Sequence, residues 1–143
     1  MIKKILSLTL SAVIVLGCSG CASASAASLT AQDVASRMGI GLNLGNTMEA
    51  SNSTNCEKIT YEWIPVVGNN TPKNYETYWG AVETTQEVID GIKAEGFNTV
   101  RIPVFWGNMM KNDGTYTIDP AYIGRVKEIV DYCQKDGLYT VVN

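Results

Sequence analysis

The chain has 143 residues, eleven basic and fourteen acidic side chains, no histidine and four cysteines. That acidic balance argues against nucleic acid or anionic lipid as a partner and leaves neutral polymers open. Without histidine the chain cannot build a Ser-His-Asp or Cys-His apparatus by itself, and a catalytic zinc site is disfavoured.

At the start, Lys3 and Lys4 precede an apolar run from Ile5 to Leu16 and a small-residue stretch ending Ala24-Ser25-Ala26. The run is too short for a membrane span, which needs about 18 apolar residues or more, and reads as a secretory signal peptide over residues 1–26. A competing reading rests on Val15-Leu16-Gly17-Cys18, which resembles a bacterial lipobox. It would end the leader before Cys18, acylate that residue and tether the chain to a membrane. Both readings export the protein. Residues 27–143 then form the folded unit, with nine basic against fourteen acidic residues. Cys56 and Cys133 remain in it, too few for a disulfide framework, with Cys133 expected in the core and Cys56 in a loop.

A short helix is expected from Thr30 to Met38. Ile40, Leu42 and Leu44 in GIGLNLGN alternate with small or polar residues, the pattern of a short strand running into a loop. Thr47 to Ala81 has no sustained period, is rich in Asn, Thr, Pro and Gly, and carries Tyr61, Trp63, Tyr75, Tyr78 and Trp79. A loop this far above the ordinary length of about 4 to 6 residues points to function or disorder, and its aromatics favour function.

In TTQEVIDGIKAEG, Thr84 and Glu87 have capping-box spacing. Val88 and Ile92 supply an apolar face with Ile89 beside it, and Gly96 ends the helix. A strand follows from Asn98 to Val104. After a turn at Asn112-Asp113-Gly114, Asp119-Pro120 gives an N-cap with proline at the first helical position. Tyr122, Val126, Ile129, Val130 and Cys133 form that helix's apolar face, Gly137 stops it, and LYTVV starts a third strand. Glu95 to Val100 and Asp136 to Val141 repeat one plan: acid, Gly, large apolar, polar, Thr, Val.

Alternating helices and strands at this spacing are βα units with parallel strands, an α/β fold. Gly39-x-Gly41 is not completed to a dinucleotide fingerprint. A long loop after the first strand suits a (β/α)8 TIM barrel, whose active site lies at the strands' C-terminal ends. Such a barrel needs about 250 residues. The expectation is therefore its N-terminal part, with about three of eight strands.

Arg101 interrupts an apolar strand. If Val100, Ile102 and Val104 face the helices, Arg101 and Pro103 face the barrel interior, where a guanidinium requires a carboxylate or several acceptors. The alternative is an arginine reaching solvent at the strand end. Pro103 marks the C-terminal end of that strand. Asn43 and Asn46 lie at the matching end of the first strand, where amides can bond sugar hydroxyls or simply shape the turn. Trp106, beyond the second strand, and Trp79, in the long loop, have flat faces that suit a pyranose ring or anchor a loop. The helix acids Glu83, Glu87, Asp90, Glu95, Glu128, Asp131 and Asp136 read as solvated faces. Glu49 is the one acid near the expected cleft, and no acid pair can be assigned.

Three stretches, GLNLGNTMEA, WGAVETTQEVIDGIKAEGFNTVRIPVFW and YTIDPAYIGRVKEIVDYCQKDGLYTVVN, together resemble the N-terminal part of glycoside hydrolase family 5, especially its bacterial endo-β-1,4-glucanases. The resemblance implies a cofactor-free (β/α)8 barrel that hydrolyses β-glucan with retention, through one glutamic acid as acid/base and another as nucleophile. It matches Arg101 to an arginine that orients the nucleophile. In that family a histidine-bearing stretch follows the third strand, and the two glutamates lie on the fourth and seventh. All would come after Asn143, so both carboxylates are expected outside this chain, which alone is expected to be inactive. Other readings are the same scaffold acting on xyloglucan, mannan or mixed-linkage glucan, and a non-catalytic exported carbohydrate-binding lipoprotein.

Overall fold

A computed structural model of the protein describes residues 28–52 and 64–143. The leader with Cys18 and Cys21, and the loop residues Cys56, Tyr61 and Trp63, lie outside the described residues.

The first helix, α1 (Ala31–Met38), begins at Thr30, whose hydroxyl accepts the Asp33 N–H while the Asp33 carboxylate accepts the Thr30 N–H at 2.9 Å. This reciprocal pair satisfies two donors that a helix start leaves free. Next comes β1 (Gly41–Asn43), and after the long connection the sheet adds β2 (Thr99–Ile102) and β3 (Tyr139–Val142). The three strands are parallel and adjacent in chain order, with Asn43 opposite Arg101 and Arg101 opposite Val141. β2 is shorter than the sequence suggests. Pro103 closes it, since it has no N–H to give, and is itself buried, whereas Arg101 is exposed.

Two helices pack on one face of the sheet. In α3 (Gln86–Ala94) Ile89 is the fully buried residue, while Val88 and Ile92 are half-buried, so the apolar face is centred one position from where the i, i+4 pair placed it. α4 (Pro120–Lys135) starts at Asp119, whose side chain accepts the Ala121 N–H, and buries Tyr122, Val126, Ile129 and Cys133. These residues meet Val100, Ile102 and Leu138 in one core. Each large apolar side chain so buried contributes about 1.5–3 kcal/mol. Burial also pushes the Cys133 thiol up to about 11, so the group stays protonated in the core. Both repeats end their helix on a glycine with positive φ, +92° at Gly96 and +67° at Gly137, a conformation that β-carbon sterics disfavour elsewhere.

The expected capping box at Thr84 and Glu87 does not form. Thr85 is the N-cap, and Thr84 is buried with its N–H donated to Glu76 Oε1 at 2.6 Å. The long connection is also not featureless. It contains α2 (Pro72–Glu76), started by Pro72 in its first turn, a signal masked by the surrounding turn residues.

Candidate functional site

The C-terminal ends of β1 and β2 stand side by side. Because the strands are in register, Asn43 and Arg101 share the sheet face opposite the helices, and Arg101 Nη1 donates to Asn43 Oδ1. Both side chains are exposed. Among the described residues no carboxylate forms an ion pair with Arg101. Asn43 Nδ2 has no hydrogen-bond partner among the described residues, and that nitrogen lies 3.1 Å from where a β-carbon on Gly45 would stand. Gly45 thus lets the chain turn tightly past the amide.

Asn46 follows in the left-handed region at φ +63°, which asparagine tolerates better than most residues. Its backbone N–H donates to Glu49 Oε1 at 2.7 Å, and the Thr47 N–H donates to Glu49 Oε2 at 3.2 Å. Glu49 therefore organises the turn with both oxygens, and the conformation alone accounts for asparagine at position 46. Its side chain is exposed.

Trp79 is 48% exposed, and its indole Nε1 donates to the Ser51 carbonyl at 3.2 Å. Tyr78, 44% exposed, donates its hydroxyl to Asn52 Oδ1 at 2.9 Å. The far part of the connection is thereby tied back to its near part at Ser51 and Asn52. Trp106 is half-buried and packs against the core, more of an anchor than an open platform. The loops after β1 and β2 are tied together by the Phe105 N–H donating to Met48 O at 3.0 Å. Asn43 and Arg101 are in direct contact, Asn46 follows three residues after Asn43 in the chain, and Trp79 is tied to Ser51 in the loop after β1.

Two polar clusters were not legible in the sequence. Asn108, buried, donates Nδ2 to Ala50 O at 2.8 Å and to the Tyr122 hydroxyl at 3.0 Å, and that hydroxyl donates to Met48 O. Burial pushes the Tyr122 phenol up to about 12, so it remains a donor across the working range. Tyr122→Phe is expected to cost about 0.5–1.5 kcal/mol in the complete protein by removing one of the two bonds to the Met48 carbonyl, which keeps the Phe105 N–H, read as a lower denaturation midpoint at unchanged slope. The second cluster joins Glu76, fully buried, to Arg125. One helix acid read as solvated, Glu128, also takes part from the exposed side, pairing with Arg125 and Tyr132.

At the strand ends this arrangement offers a cation on an open sheet face with an amide beside it. It can orient an anionic group brought to Arg101 and bond hydroxyls around it. Among the described residues it holds no acid and base poised for proton transfer.

Residues 57–143 match the family Cellulase (glycosyl hydrolase family 5). Endoglucanase A of Clostridium longisporum is 40% identical over 114 residues, covering 80% of this chain and 20% of that protein. A broad specificity endoglucanase from Ruminococcus champanellensis, solved with bound cellotriose, superposes with a TM-score of 0.67 at 39% identity, over 80% of this chain and 30% of that one. A Prevotella bryantii family 5 enzyme, solved as its E280A mutant with a xyloglucan tetradecasaccharide, gives a TM-score of 0.64 at 39% identity, over 80% and 29%. The chain thus spans about a fifth to a third of the length of these relatives. It belongs to glycosyl hydrolase family 5, and its three parallel strands are the N-terminal part of a (β/α)8 barrel.

Proposed function

We propose that this chain is the N-terminal part of a secreted endo-β-1,4-glucanase that cleaves β-glucan with retention. Its task is to present Arg101 and Asn43 to a nucleophilic glutamate carried by a later strand. The observation that carries this reading is the Arg101–Asn43 pair on an open sheet face, with no carboxylate partner among the described residues. In a retaining enzyme two carboxyl groups stand about 5–5.5 Å apart, one attacking the anomeric carbon while the other protonates the leaving oxygen. A guanidinium beside the attacking carboxylate favours its ionised form and fixes its direction. Asn43 supports the guanidinium from the neighbouring strand. In this reading Asn46, Trp79 and, less openly, Trp106 meet sugar rings and hydroxyls. Export through the N-terminal leader, with or without acylation at Cys18, suits an insoluble polymeric substrate.

Purified residues 28–143 are expected to release no reducing sugar from soluble β-glucan, whereas the complete protein does. Turnover by residues 28–143, with host enzymes excluded, contradicts the reading. Xyloglucan is the second substrate to assay, because a similar structure holds a xyloglucan oligosaccharide.

A further inference from the structure

The Glu76–Arg125 pair closes a loop rather than joining two surfaces. Glu76, at the end of α2, accepts from Arg125 Nε at 2.9 Å and Nη2 at 3.0 Å, a two-point fork. Both side chains also bond Thr84, whose N–H donates to Glu76 Oε1 at 2.6 Å and whose carbonyl accepts from Arg125 Nη2 at 2.6 Å, while Arg125 Nη1 donates to Glu128. One guanidinium therefore holds both ends of the seven-residue excursion 77–83. Within it Gly80 turns the chain at φ +87°, and Tyr78 and Trp79 stand half-exposed, each tied at its tip by the single bond to Asn52 or Ser51.

A buried ion pair is a poor stabiliser, because desolvation offsets most of the Coulomb gain, and an apolar pair would hold the core as well. Burial works against the Arg125 charge, yet the bonds from Glu76 and Glu128 outweigh it and raise its pKa above the ordinary arginine value. What the fork supplies is direction: a planar guanidinium fixes two carboxylate oxygens and a carbonyl at once, which a lysine cannot.

We infer that Glu76 and Arg125 are positioning residues for substrate binding: their fork sets the ends of the 77–83 excursion so that Trp79, with Tyr78 beside it, is held ready for a glucan chain. This rests on the proposed reading of Trp79 as a sugar contact. Fixing the loop before binding removes an ordering cost that the substrate would otherwise meet.

The test uses the complete enzyme and a double-mutant cycle. Arg125→Lys keeps the charge beside Glu76 and loses the fork, and Glu76→Gln is the second variant should Arg125→Lys unfold. The expected result is a KM for soluble β-glucan raised about tenfold with kcat held within about twofold, the signature of lost uniform binding. In a Trp79→Ala background the same substitution is expected to change KM no further. A fall in kcat with KM unchanged, effects on KM that add to those of Trp79→Ala, or failure of both variants to fold overturns the inference. If Trp79→Ala alone leaves KM unchanged, the reading of Trp79 falls and the inference with it.

Discussion

Arg101→Met in the complete enzyme is expected to lower kcat/KM on β-glucan by about a hundredfold or more, the scale for removing a preorganised electrostatic contact at a reacting centre. The side chain lies on the sheet face away from the helices and makes its bond to Asn43 across the β1–β2 register. No part of the α3–α4 core depends on it. Arg101→Lys is expected to restore only part of the activity, because an ammonium cannot bond Asn43 and a carboxylate in one plane. The check is steady-state kinetics at several pH values. If Arg101 favours the ionised nucleophile, the acidic limb of the kcat/KM profile moves to higher pH in Arg101→Met. The reason is that a carboxylate without its cation protonates more readily, so the ionised form is lost earlier as pH falls.

Arg125→Met carries the largest expected stability effect, about 3–5 kcal/mol, because it leaves the Glu76 carboxylate buried without a cation. Equilibrium urea denaturation of the complete enzyme reads it directly, as a lower midpoint. The same substitution frees the Thr84 carbonyl, which accepts from the same guanidinium. Replacing both Glu76 and Arg125 by apolar residues is expected to cost less than Arg125→Met, since no charge is then stranded. A double variant weaker than the single one would show that the pair itself, rather than its desolvation balance, stabilises the fold.

Much of this fold could be read from local patterns. Asp119-Pro120, Gly96 and Gly137 mark helix ends through backbone geometry that belongs to those residues alone, and the structure places them at those ends. Cys133 is buried at the position its helical period gives it. Thr84 was misread because a residue 41 positions away competes for it: Arg125 and Glu76 take its carbonyl and N–H, and the helix starts one residue later. Nothing in the sequence near Glu76 announces a buried acid, since its cation lies 49 residues on. The site divides in the same way. Period-two alternation put Arg101 on the face away from the helices, and register then made Asn43 its neighbour, whereas Glu49 had no local sign of its role in holding the turn at Asn46. Long-range hydrogen bonds decide the cases of Thr84 and Glu76, and a sequence pattern records only what is repeated nearby.

These assignments meet in one claim, that the chain supplies the arginine side of a retaining β-glucanase site whose carboxylates come from elsewhere in the barrel. The measurement that tests it most directly is proton NMR of the first products released from a cello-oligosaccharide by the complete enzyme. The account expects the β-anomer to accumulate first and the α-anomer to grow in only by mutarotation. Initial release of the α-anomer, or no cleavage of β-1,4-linked glucosides at all, would contradict it.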